Sequence, residues 1–212
     1  MAPRLLVGAI PGHSQLALDM ERAGHTVRPI DINTDPGAIA HVDLVLIDGS
    51  ANDIRAAAEI LADYARPQQM FLHTALEEGP QLLDDIETSQ AITMCAHNLF
   101  DNIWVTSAAD ELGETVVGLL IAEIGGTSMR IDDTVRPTIA AAQELRALEA
   151  TVRDDALELL IDTVPAFEAV AEKFVEAASG RRYARSVNEL DRMLDACLLY
   201  TSDAADDTLR VD

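Results

Sequence analysis

Arg4-Leu5-Leu6-Val7-Gly8-Ala9-Ile10-Pro11-Gly12-His13-Ser14 is the stretch on which the reading of the whole chain turns. Its first half is a short, solid apolar run, the form that a buried parallel strand takes. Pro11 and Gly12 then favour a turn. Ser14 opens a helical pattern with Leu16, Ala17, Met20 and Ala23 on one face, stopped by Gly24. Strand, glycine turn and helix in that order form the entrance to a dinucleotide site, where helix amides are aimed at phosphates. The full fingerprint of such a turn is Gly-x-Gly-x-x-Gly. Registered on the helix, this chain keeps Gly8 but carries Ile10 and His13 at the second and third glycine positions. Ile10 brings a branched side chain to the place where a pyrophosphate approaches, while His13 offers a positive group near the helix start. Taken alone, the turn favours a structural role over a cofactor cradle.

Strand and helix patterns continue to alternate behind it. Thr26 to Ile30 reads as a second strand ending on Asp31, and Leu44-Val45-Leu46-Ile47 as a third. The turn Asp48-Gly49-Ser50 leads into a helix from about Asn52 to Ala65. Met70-Phe71-Leu72 ends at His73, Ile92 to Ala96 ends at His97, and Ile103 to Thr106 follows. A helix from about Ala108 to Ile124 is stopped by Gly125-Gly126, and Thr127 to Ile131 is the last strand. Apolar runs this short and solid belong to a sheet covered on both faces. The fold class is therefore α/β, a Rossmann-type, mostly parallel sheet with helices on both faces. Pro29 removes a ladder donor, so the second strand belongs at an edge. The link from Asp31 to Leu44 has room for a turn or a stub of helix, but not for a helix and a further strand. The third strand of the usual Rossmann half is thus expected to be missing.

From about Thr134 the chain is rich in Ala, Leu and Glu and reads as helical, with a break or kink at Pro165. Ser179 to Arg182 reads as a linker and Val187 to Ala196 as one more helix. The expected organisation is a nucleotide-binding domain over residues 1–132, a helical segment over 133–196, and a tail over 197–212. The run from Leu198 to Asp212 resembles a tail that recurs on unrelated assembled sequences, from translated sequencing adapter, and it carries no functional argument here.

The 15 basic residues stand against 37 acidic ones, for a net charge of −22. Such a surface cannot neutralise phosphates, which excludes nucleic acid and anionic lipid as partners. Lys173 is the sole lysine, a usage that suggests a high-GC bacterial gene. No apolar run reaches the length needed to cross a bilayer, and the N-terminus moves straight into a strand with no signal peptide, so a cytoplasmic protein is expected. Cys95 and Cys197 form no metal spacing and no disulfide framework, and Cys95 reads as a small packed hydrophobe. No metal site is expected.

Chemistry is expected where parallel strands end. Asp31 falls 23 residues after Gly8 and is placed to accept hydrogen bonds from an adenosine ribose, which favours NAD over NADP. Equally, Asp suits a strand end where a turn follows. Gly8, Gly12, His13, Asp31 and Ser50 are the candidate cofactor-binding residues. His73-Thr74 and His97-Asn98 each follow a strand, and histidines there can serve as acid–base groups for a hydroxyl or carbonyl substrate. Either alone reads more readily as a ligand for its loop; the pair points to catalysis. His25 and His41 precede strands on the other edge and receive no role. The acidic pairs Glu77-Glu78, Asp84-Asp85 and Asp154-Asp155 read as solvated faces.

His73-Thr74, Ala96-His97, Val105 to Gly113, Glu123 to Gly126, Met129-Arg130 and Arg136-Pro137 fall in one order. That series resembles the Rossmann-like oxidoreductase-type proteins of high-GC Gram-positive bacteria, relatives of 6-phosphogluconate dehydrogenase, prephenate dehydrogenase and the deazaflavin-dependent NADP oxidoreductases. The resemblance covers roughly residues 4–150 and implies an NAD(P) cofactor, a small hydroxy or keto substrate, and a helical domain that pairs subunits into a homodimer. The chain departs from the pattern at Ile10, His13, Ala75 and Asn98, and again at Ile139-Ala140 and Leu145 to Leu148, where cleft-facing polar residues are implied. A non-catalytic paralogue that binds a nucleotide or metabolite is the alternative. An enzyme of this kind should bring His73 and His97 to a common point.

Overall fold

The computed structural model describes residues 4–178. Seven strands make one sheet: β1 (Leu6–Ile10), β2 (Thr26–Pro29), β3 (Leu44–Ile47), β4 (Met70–His73), β5 (Ile92–Phe100), β6 (Ile103–Ala108) and β7 (Thr127–Arg130). Their order across the sheet is β2-β1-β3-β4-β5-β6-β7. Between them lie α1 (Gln15–Arg22), α2 (Ala51–Leu61), α3 (Asp84–Glu87) and α4 (Glu111–Glu123). Ser14, Ser50 and Asp110 cap α1, α2 and α4, each accepting a backbone N–H from the first turn.

β2 forms the edge, as Pro29 requires, and pairs only with β1. Between β2 and β3 there is a short 3-10 stretch, Pro36–His41, and no strand. The missing third strand is thus a feature of the fold.

The first five strands run parallel, but β6 runs antiparallel to β5, and β7 follows β6. The sequence reading ended the fifth strand at Ala96 and set His97 beyond it. In the structure β5 continues to Phe100 and turns back through Asp101 and Asn102. The reason is length: a parallel return needs a crossover of a dozen or more residues, and the link from His97 to Ile103 has none to spare. The Asn98 side chain donates to the Asp101 carbonyl at 2.9 Å and holds the turn. His97 therefore sits within a strand, opposite Val105, just past the point where pairing with β4 stops at His73–Cys95.

Side chains alternate across the sheet into two cores. Val45, Ile47 and Phe71 join Ile54, Leu61, Leu83 and Ile86 on the face covered by α2, α3 and the 3-10 stretch Pro80–Leu83. Leu44, Leu46, Leu72 and Met94 join Leu16, Met20, Val117 and Ile121 on the face covered by α1 and α4.

The chain divides into two compact units, Met1–Leu148 and Glu149 onward. α5 (Arg136–Thr163) begins in the first and ends in the second, two residues before Pro165, and α6 (Ala171–Ala178) follows. The predicted linker after Ala178, the helix at Val187–Ala196, Cys197 and the suspect tail lie outside the described residues. No helix among the described residues is long and apolar enough to cross a membrane.

Candidate functional site

β1, β3 and β4 end on one edge of the sheet, and the chain leaves β1 and β3 toward opposite faces. α1 packs on one core and α2 on the other. That divergence is a topological switch point, where open α/β sheets form a crevice. Two clefts open there. One, of about 680 Å³, is bounded by Ile10, Pro11, Gly12, Asp31, Asn33 and Asp53 among others. The second, of about 750 Å³, is bounded by Leu16, Ser50, Thr74, Glu77, His97 and Trp104 among others. Asp48 and Gly49 border both clefts, so the two adjoin at the end of β3.

The glycines of the first turn turn out to serve close packing. Gly8 lies inside β1, where an added Cβ would fall 2.2 Å from Ile30 Cδ1. Gly12 lies against β2, where an added Cβ would fall 2.3 Å from Pro29 Cβ and 2.8 Å from its Cα. Ile10 ends β1, packs partly on the core and forms part of the first cleft's wall. His13 is exposed and borders neither cleft.

Asp31 stands at the tip of β2 and borders the first cleft. One carboxylate oxygen accepts the Asn33 N–H at 3.0 Å and the other the Thr34 hydroxyl at 2.6 Å. The Thr34 hydroxyl bond above all holds this carboxyl below the usual carboxylate range. Asp31 thus makes the turn that suits a strand end, and it also borders the first cleft. Ser50 caps α2, donates its hydroxyl to Asp53 at 2.6 Å, and borders the second cleft.

The two histidines do not meet. His73 is fully buried, borders neither cleft, and donates from Nε2 to the Gly79 carbonyl at 2.9 Å. A carbonyl can only accept, so the proton is on Nε2. Burial pushes the His73 pKa down from 6.5 to about 4, and the ring is neutral. His97 borders the larger cleft. Its Nδ1 lies 2.8 Å from the Thr74 carbonyl oxygen, so Nδ1 is the donor and Nε2 takes no part in that bond. Thr74 in turn donates its hydroxyl to Asp48. Asp48, Thr74 and His97 thus form one connected series along the cleft. Sequence reasoning placed Thr74 beside His73 but gave Asp48 no role; its position at a strand end next to Gly49 was the available signal.

A second assembly supports the wall of this cleft from behind. Arg136, at the start of α5, is 2% exposed. It donates from Nε to Asp133 at 2.6 Å, from Nη1 to the Leu76 carbonyl at 3.2 Å, and from Nη2 to the Ser107 hydroxyl. Its Nη2 also lies 2.8 Å from Cys95 Sγ. Cys95 is buried as expected, and burial raises its thiol pKa, but it is a polar partner as well as a packed side chain. Arg136 through Leu76 and His73 through Gly79 together fix the segment Ala75–Gly79. Among the described residues, no group of three His, Cys, Asp or Glu is placed to hold a metal ion.

This is a Rossmann-type fold with its crevice at the β1/β3 switch point. No protein-family model matches the chain, and no curated protein matches it in sequence. Solved structures do share its fold. A Bacteroides fragilis protein assigned as an NADP oxidoreductase is 11% identical with a TM-score of 0.63, over 96% of this chain and 93% of that one. Plasmodium falciparum pyrroline carboxylate reductase, with NADP bound, is 8% identical with a TM-score of 0.59, over 97% and 92%. Prephenate dehydrogenase from A. aeolicus, in complex with hydroxyphenyl propionate and NAD+, is 12% identical with a TM-score of 0.56, over 99% and 94%. At these identities the likeness is one of fold.

Proposed function

We propose that the chain is an NAD(P)-dependent oxidoreductase acting on a small hydroxy or keto compound, with NAD favoured over NADP. The observation that carries this reading is the pair of clefts adjoining at Asp48 and Gly49 on the switch-point edge. A dinucleotide would lie with its adenosine in the cleft of Gly12 and Asp31 and its nicotinamide end toward Ser50 and Thr74. Gly12 presents bare backbone at the turn, and Asp31 stands where a ribose hydroxyl would need an acceptor. Among the described residues no Arg or Lys borders the adenosine-side cleft, so none of them would compensate the 2′-phosphate of NADP. When bound, the nicotinamide supplies the hydride acceptor or donor.

His97 does the proton chemistry in this reading. With Nδ1–H spent on Thr74, Nε2 accepts the substrate hydroxyl proton in oxidation and returns it to the carbonyl oxygen in reduction. His73, expected to share that task, is assigned the support of the Ala75–Gly79 segment. The proposal extends to a homodimer, as the resemblance implies, in the cytoplasm, as the sequence reading expects; sedimentation of the full chain tests the dimer.

A second reading is a binder without hydride transfer. It is favoured by the burial of His73 and by the engagement of both Asp31 oxygens within their own turn. Titration against NADH and NADPH, followed by nicotinamide fluorescence and thermal shift, separates the cases. Saturable micromolar NADH binding, with weaker NADPH, supports the oxidoreductase. No binding of either up to millimolar concentration ends that reading.

A further inference from the structure

We infer that the larger cleft selects a substrate bearing an ammonium group, an amino alcohol or amino ketone, over a hydroxy acid. The inference rests on that cleft being the substrate site; it concerns which molecules the site accepts. Among the described residues, four carboxylates border the cleft, Asp19, Asp48, Glu77 and Asp101, and no Arg or Lys does. Asp19 is neutralised locally, since Arg22 reaches it at 2.8 Å. The other three are not. Asp48 receives only the uncharged hydroxyl of Thr74 on its side chain, and Glu77 and Asp101 have no side-chain ion pair among the described residues.

Position makes Asp48 the decisive group. It lies at the end of β3, where the two clefts adjoin, and Thr74 fixes its orientation. A substrate carboxylate brought beside it would give up water and meet charge of its own sign with no guanidinium or ammonium to pair with. An ammonium offers three donors on a compact charge, which a carboxylate at the rim of an apolar wall accepts well. Leu16, Leu76 and Trp104 supply that wall for the carbon skeleton. The switch-point cleft makes the site; the sign of its border selects the ligand.

The test uses three molecules of one size: 3-amino-1-propanol, 1-propanol and 3-hydroxypropanoate. Each is titrated into the full-length protein, with and without NADH, and followed by calorimetry and by the His97 ring-proton NMR shifts. The amine should bind about tenfold or more tighter than the acid, with the neutral alcohol between, and salt of roughly 0.5 M should narrow the gap. Asp48→Asn keeps an oxygen acceptor for Thr74 while removing the charge, and should weaken the amine about fivefold or more relative to the alcohol. Asp84→Asn, on the outer surface of α3, removes the same charge from the molecule without that effect. The inference is overturned if the acid binds as tightly as the amine, if Asp48→Asn leaves amine affinity intact, or if the amine does not bind at all. NADH affinity is read separately. Its failure alongside selective amine binding would sink the oxidoreductase reading and leave an ammonium-selective cleft; NADH binding with acid preference would sink only this inference.

Discussion

The Nε2 of His73 and the carbonyl oxygen of Gly79 lie 2.9 Å apart, and the bond between them closes the Ala75–Gly79 segment onto the end of β4. The neutral ring that makes this bond gives the fold a pH dependence. An unfolded histidine protonates near 6.5, but His73 in the fold does so only near 4, so between these values the unfolded chain binds more protons. The contribution is complete above pH 6.5 and drains as pH falls toward 4, at about 1.4 kcal/mol per pH unit, for a total on the order of 3 kcal/mol. Melting temperatures of the wild type should therefore fall more steeply across this window than those of His73→Gln. Parallel profiles would refute the assignment.

His97→Gln retains a donor for the Thr74 carbonyl but has no titrating nitrogen. Turnover on any substrate identified should drop by about a hundredfold or more. NADH affinity should stay within a factor of about two, because the change does not reach the adenosine-side cleft. Unchanged turnover would remove His97 from the proton path.

Gly12 and Gly8 should respond differently to an added methyl. At Gly12 the new carbon would meet the Pro29 ring and backbone, which cannot yield, and Gly12→Ala should cost about 1–3 kcal/mol in denaturant unfolding. At Gly8 the nearest atom is the tip of the Ile30 side chain, which can rotate away. Gly8→Ala should cost less. The reverse order would mean that the turn, and not β2, gives way.

Arg136→Met should destabilise the first unit by about 3 kcal/mol, since it strands the Leu76 carbonyl in the interior and leaves Asp133 without its ion-pair partner. Asp133→Asn should cost only about 1 kcal/mol, because Asp133 is partly exposed and the remaining donors of Arg136 keep their partners. Equal losses would show that the ion pair, and not the wider network, holds α5 to the sheet.

Much of the fold could be read locally. The run at Leu6–Ile10, the cap at Ser14, Pro29 and the short link after Asp31 each carry a physical constraint that survives folding, and together they located the edge strand and the absent one. The β5–β6 hairpin was harder, because the apolar run stops at Ala96 while the backbone pairing goes on through Asn98 to Phe100. Chain length between His97 and Ile103 held the answer; hydrophobicity did not. At the site, spacing brought out Asp31, and an expected strand end brought out His97, although β5 runs on past it. The burial of His73 depends on a loop folding back over it, and the partners of Arg136 come from four separate segments, Leu76, Cys95, Ser107 and Asp133. Such convergence is set by tertiary packing and leaves no periodic trace.

The placement of Pro29 also bears on how these molecules behave in a crowd. Open sheets invite foreign strands to dock along their rims, rung by rung. Here one rim is only the four residues of β2, and its last residue carries no N–H to offer. The opposite rim, β7, is equally brief. Neither gives a passing chain enough rungs to seed a shared ribbon, so the molecule can be concentrated without its own β-structure becoming the template for a fibre.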